Sequence, residues 1–189
     1  MPRSKRSRSL RKLTVCALFA ALICVLSPIA FPFGVIPISL GLLGVLITAV
    51  TLPPTMSTVS ISIFLALGLC GLPVYSSGMS GAMVLAGPTG GYLWSYLLIA
   101  PLTSRIAHIG TAKIPVFPRS LIACLLGTAL CYLCGTSQYA LLTRSTILTA
   151  FAACVLPFLP FDILKSILAS ALGIRLTKAL RGTFAILSL

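Results

Sequence analysis

Leu156-Pro157-Phe158-Leu159-Pro160-Phe161-Asp162-Ile163-Leu164-Lys165-Ser166-Ile167-Leu168 sets the only acidic residue of the chain beside a lysine, in a run of hydrocarbon. The two prolines divide a segment from about 145 to 180 into a short helix over 145–156 and a longer one over 161–180. A carboxylate at a helix start with an ammonium three residues on puts both charges on one helical face. Each would cost roughly 2.5–3.5 kcal/mol at a bilayer centre, so ionisable residues there pair with something or carry function. Asp162 and Lys165 are read as the core of a small-molecule site; the alternative is a structural ion pair tying the last helix to its neighbours.

Outward from this stretch the chain stays apolar. Its 189 residues are 58% hydrophobic and 8% charged, with a mean hydropathy of +1.13. A soluble domain near this size buries only about 70% of the surface its unfolded chain exposes, too little to hide so much hydrocarbon. The solvent must be lipid. The expected fold class is all-α, a polytopic membrane protein with six transmembrane helices near 10–30, 36–52, 56–72, 89–106, 119–141 and 161–180. Residues 13–189 form a single membrane domain in this reading, behind a basic cytoplasmic tail at 1–12.

The net charge of +13 is not spread evenly. Arg3, Lys5, Arg6, Arg8, Arg11 and Lys12 precede the first apolar run; Arg105, Lys113 and Arg119 share one gap; Arg175, Lys178 and Arg181 lie near the C-terminus. Six helices and a cytoplasmic N-terminus put all three groups on the cytoplasmic side and leave Arg144 outside. This positive-inside pattern points to a cytoplasmic membrane with both termini inside, and away from nucleic acid. The run from Leu13 to Ala30 is long for the apolar core of a signal peptide, so it is read as a retained first helix.

Asp162 can be placed in depth. Thirteen residues separate it from Arg175, or about 20 Å at the helical rise of roughly 1.5 Å per residue, which puts the acid in the outer leaflet. Two uncharged loops lie at that level, Ser27–Pro37 and Gly71–Pro88. Irregular backbone at membrane depth survives only against protein or around a cavity, so these loops are expected to fold as lids over an outward-facing pocket. The five tyrosines and Trp94 map to the same half, as an interfacial belt or, for Tyr75 and Tyr92 first, as walls of the pocket.

Gly87-Pro88-Thr89-Gly90-Gly91-Tyr92 opens the fourth helix, with Thr89 as N-cap and free amides that suit a ligand oxygen. Taken alone, Gly90-Gly91 reads either as a close helix-packing point or as a ligand contact. No Gly-Lys-Ser/Thr follows, so this is no phosphate loop. Seven cysteines and one histidine are present. Cys131-Tyr132-Leu133-Cys134 lies within a helix and His108 maps to the opposite side, so neither metal nor cofactor is expected. An intramembrane enzyme would need paired acids or an activated nucleophile, and no such set is present.

In order, Leu72-Pro73-Val74-Tyr75, the Gly87–Tyr92 segment and Leu156–Lys165 resemble the BioY family, the biotin-binding S components of energy-coupling factor (ECF) transporters. The resemblance covers the chain after its basic tail and includes Ile36-Pro37-Ile38-Ser39-Leu40. Gly41 and Phe161 stand where many relatives have Gln and Gly.

The resemblance implies biotin uptake through a site of Asp162, Lys165, Tyr75, Met79, Gly87, Thr89, Gly90, Gly91 and Tyr92. Asp162 would accept from the ureido N–H groups and Lys165 would donate to a ligand oxygen. Met79, Tyr75 and Tyr92 would pack on the rings, and the Gly87–Gly91 turn would offer backbone donors. Since the chain has no ATPase motif, the resemblance also implies a transmembrane coupling subunit and paired cytoplasmic ATPases as partners. Ala17 and Ala21, four apart on the first helix, would dock the coupling subunit or else pack within the bundle. The remaining alternatives are an S component for another small vitamin and a membrane scaffold.

Overall fold

Gly41-Leu42-Leu43-Gly44-Val45-Leu46-Ile47-Thr48-Ala49-Val50-Thr51 has no polar face, and a helix that is apolar all round belongs inside a bundle. That is where it lies: every residue of α2 (Gly41–Thr51) but Leu43 is buried. The structure, a computed structural model, describes residues 5–32, 37–109 and 115–180, the side chains of 5–8 excepted. Around α2 are α1 (Lys5–Leu26), α3 (Pro54–Leu69), α5 (Gly90–His108) and α8 (Leu159–Ala179), and α6 (Val116–Thr143) packs along α5 and α8. Two short helices, α4 (Ala82–Ala86) and α7 (Ile147–Cys154), and a 3-10 turn at Ser76–Gly78 complete the helical elements among the described residues.

Small residues set the close approaches. Gly44 faces the Ile23 backbone of α1, and Gly173 of α8 faces Val50 and the Ile47 carbonyl of α2. A β-carbon at Gly127 would overlap Thr103 and Ile99 of α5. Helices in lipid gain no hydrophobic drive against one another, so contact at this range is what holds them. The opposite faces are lipid-facing in character: Leu164, Leu168, Leu172 and Leu176 are exposed along α8, and Leu18 and Val25 along α1.

α1 and α6 are each long and apolar enough to cross a bilayer, and α7 with α8 forms a broken span bent by 60°, with α2 and α3 as shorter apolar helices. The bend falls where the prolines predict it, with Pro160 in the first turn of α8. Three expected boundaries shift. α1 starts within the basic tail and stops at Leu26, ahead of Ser27-Pro28. α2 starts at Gly41 rather than near 36, because β2 (Ile38–Ser39) pairs antiparallel with β1 (Ala30–Phe31). The Gly71–Pro88 loop contains the 3-10 turn and α4. Residues 33–36, Arg3, Lys113 and Arg181 lie outside the described residues.

Candidate functional site

The first two turns of α8 bring Asp162 and Lys165 to the same inward face, 4% and 6% exposed. Lys165 Nζ donates to Asp162 Oδ1 at 2.8 Å and to the Ser39 carbonyl at 2.8 Å. On the other side of the carboxylate, the Tyr132 hydroxyl of α6 donates to Asp162 Oδ2 at 2.6 Å. The pair therefore joins α8 to both α6 and β2. Two opposite charges share one apolar setting here, and each desolvated group has partners that offset the loss of water.

Beside the pair lies a cavity at the end of the bundle closed by the loops. Asp162, Lys165, Tyr132, Tyr92, Tyr96, Phe158, Leu42 and Leu93 line it from the helices, with Ser27, Pro37 and Ser39 from the β1–β2 region and Ser76, Met79, Val84 and Thr89 from the second loop. Polar groups are few and converge on a mostly apolar wall, the usual character of a small-molecule site. Two of its buried hydroxyls, Ser76 Oγ and Tyr92 OH, make no hydrogen bond of ordinary geometry within the chain. Tyr92 lies beside Thr136 and Cys154. Buried polar atoms of this kind are uncommon, and their place on a cavity wall suits a ligand.

Five of the nine residues expected at the site line this cavity: Asp162, Lys165, Met79, Thr89 and Tyr92. Tyr75 is placed elsewhere. It is fully buried, its hydroxyl donates to the Leu65 carbonyl at 2.8 Å, and its ring meets Phe64 edge-on at 5.7 Å. A β-carbon at Gly68 would overlap that ring, so the missing side chain opens the slot that receives it. Tyr75 thus latches the second loop to α3, and burial raises its phenol pKa above the ordinary value.

The Gly87–Gly91 turn keeps only part of the expected donor set. Two of its amides are occupied locally, Gly87 N–H by the Val84 carbonyl and Gly90 N–H by the Gly87 carbonyl. Thr89 holds the N-cap position of α5 without a side-chain cap bond. Gly90 and Gly91 are buried packing points: a β-carbon at Gly90 would overlap the Leu85 carbonyl, and one at Gly91 would come within 2.7 Å of the Cys134 carbonyl of α6. Gln138 clamps the same turn, donating to the carbonyls of Leu85 at 3.1 Å and Gly87 at 2.8 Å.

Tyr132, Tyr96, Phe158 and Ser39 were not singled out from the sequence. Tyr132 and Tyr96 belonged to the outer-half tyrosines, and Ser39 to the segment that precedes α2; nothing in the sequence ranked them above their neighbours. Cys131 also lines the cavity and accepts from Ser95 Oγ at 3.2 Å. Among the described residues no three metal-ligating side chains come together. On α1, Ala17 and Ala21 face outward rather than into the bundle.

The chain matches the BioY family over residues 2–182. It is 36% identical to the biotin transporter BioY2 of Lactococcus lactis subsp. cremoris over 94% of this chain and 96% of that protein. It is 32% identical to the biotin transporter BioY of Thermotoga maritima, over 89% of this chain and 97% of the relative. Among solved structures it resembles the S-component for biotin from an ECF-type ABC transporter. That likeness has a TM-score of 0.82 and 29% identity, and covers 93% of this chain and 95% of the other.

Proposed function

The chain belongs to the BioY family, and on that premise we propose that it binds biotin as the substrate-capturing S component of an ECF-type ABC transporter. The observation that carries the reading is the Asp162–Lys165 pair, buried yet lining a cavity. A ureido group presents N–H donors beside a carbonyl acceptor, and an adjacent carboxylate and ammonium are its complement. Asp162 accepts from the ureido N–H, and Lys165 donates its remaining proton to the ureido oxygen. Bonds of this charge-assisted kind are worth about 1.5–3 kcal/mol each. Met79, Tyr92, Leu93 and Phe158 supply apolar surface for the fused rings.

The protein is a carrier and not a catalyst in this reading, and the energy for uptake comes from outside it. A transmembrane coupling subunit and two cytoplasmic ATPases provide that energy, docking on the face of α1 that exposes Ala17, Leu18, Ala21 and Val25. Small residues flanked by larger exposed ones let a partner helix approach closely. Six spans, α1, α2, α3, α5, α6 and α8, cross the cytoplasmic membrane with both termini inside.

Retention of labelled biotin by the purified chain is the test. Saturable binding that excess unlabelled biotin displaces, and that riboflavin or thiamin does not, is expected. Displacement by another vitamin would reassign the ligand within the same transporter class, and no binding of any of them would leave a membrane scaffold.

A further inference from the structure

Asp162 and Tyr132 line two cavities, not one. Besides the ligand cavity they border a second, almost wholly apolar cleft between α6 and α8, whose other walls are Leu125, Thr128, Ala129, Leu159 and Ile163. The Tyr132–Asp162 hydrogen bond, 2.6 Å long, lies where the two spaces meet. A carboxylate can accept about four hydrogen bonds. Lys165 takes Oδ1 and Tyr132 takes Oδ2, so the acid that meets a ligand has reduced acceptor capacity and a fixed plane. Lys165, committed to the Ser39 carbonyl and to Oδ1, keeps one N–H to offer.

We propose that Tyr132 is a positioning residue that sets head-group specificity, by occupying Asp162 Oδ2 so that the site favours a neutral head carrying both a donor and an acceptor over a cationic head carrying donors alone. This rests on the biotin reading above. A ureido group satisfies both members of the pair. A protonated guanidino group offers no acceptor to Lys165 and brings a second cation beside it. Its compensation would be a second N–H bond to the carboxylate, and Tyr132 already fills one of the two acceptor positions of Oδ2. Removal of the hydroxyl frees Oδ2 and returns that compensation to the cationic ligand.

The experiment measures equilibrium binding of biotin, desthiobiotin and the guanidino analogue 2-iminobiotin to the purified chain and to its Tyr132→Phe variant, at neutral pH where 2-iminobiotin is protonated. Because the Tyr132–Asp162 bond is present with and without ligand, its loss should change the affinity for both ureido ligands by no more than about tenfold. The preference for biotin over 2-iminobiotin should narrow by about tenfold or more, since the cationic analogue gains a charge-assisted bond to the freed oxygen. A merely structural tyrosine would weaken all three ligands alike and leave the ratio unchanged, and that result overturns the assignment. A wild-type chain that binds no biotin overturns the parent reading and this one with it. Wild-type binding with an unchanged ratio in the variant overturns this one alone. Should Tyr132→Phe not fold, Tyr132→Met replaces it; failure of both to fold makes the hydroxyl a folding element and also overturns the assignment.

Discussion

At the scale of single residues, the buried pair controls stability as well as chemistry. Asp162 and Lys165 neutralise each other at 2.8 Å, and removal of either partner strands a charge in hydrocarbon, at a cost of about 3–5 kcal/mol. Thermal unfolding of the purified protein should therefore show strong destabilisation in Lys165→Met and in Asp162→Asn. The double variant should lose clearly less than the sum of the two, as expected for groups in direct contact. Additive losses would mean that the pair is not coupled. Asp162 was legible in the sequence because no other acid exists to compete with it. Tyr132 was not, since thirty residues separate it from the acid and the sequence maps four other tyrosines to the same outer level of the membrane. Tyr75 misled for a different reason: an aromatic residue in a loop looks like a ligand wall, whereas the slot left by Gly68 turns it toward α3.

At the scale of elements, hydropathy and proline found the helices, and local competition set their ends. The apolar run before Gly41 suits a strand as well as a helix, and pairing with Ala30–Phe31 decides for the strand. The bend between α7 and α8 was readable because Pro157 and Pro160 leave few alternatives. The Gly87–Gly91 turn reads as a packing point or a donor site from sequence alone, and the distances from Gly90 to Leu85 and from Gly91 to Cys134 show the packing. On α1, exposed Ala17 and Ala21 predict a docking surface rather than an internal contact. Replacing both with Leu should leave biotin binding within about twofold of wild type, because neither residue touches the cavity. Co-purification with the coupling subunit should be lost. A double variant that still recovers the intact complex would move the docking surface elsewhere.

At the scale of the whole molecule, the cavity and the Asp162–Lys165 pair lie at the loop-covered end of the bundle, and of the described basic side chains Arg11, Lys12, Arg105, Arg119, Arg175 and Lys178 lie toward the other, with Arg144 the exception. Arg105 falls in the last turn of α5 and Lys178 in the last turn of α8. The charge asymmetry thus predicts which end faces out. Cys70, exposed at the end of α3, should react with a membrane-impermeant maleimide in intact cells, with the Cys70→Ser variant as control; labelling only after the cells are opened would invert the orientation.

The central claim is that the lone carboxylate meets the ligand's head, and its uniqueness makes it directly observable. A chain labelled with 13C at the aspartate side-chain carboxyl carries a single labelled carboxylate, since its sequence has one acidic residue. Its NMR resonance should move on addition of biotin and stay in place on addition of thiamin. A resonance unmoved by saturating biotin would contradict the account.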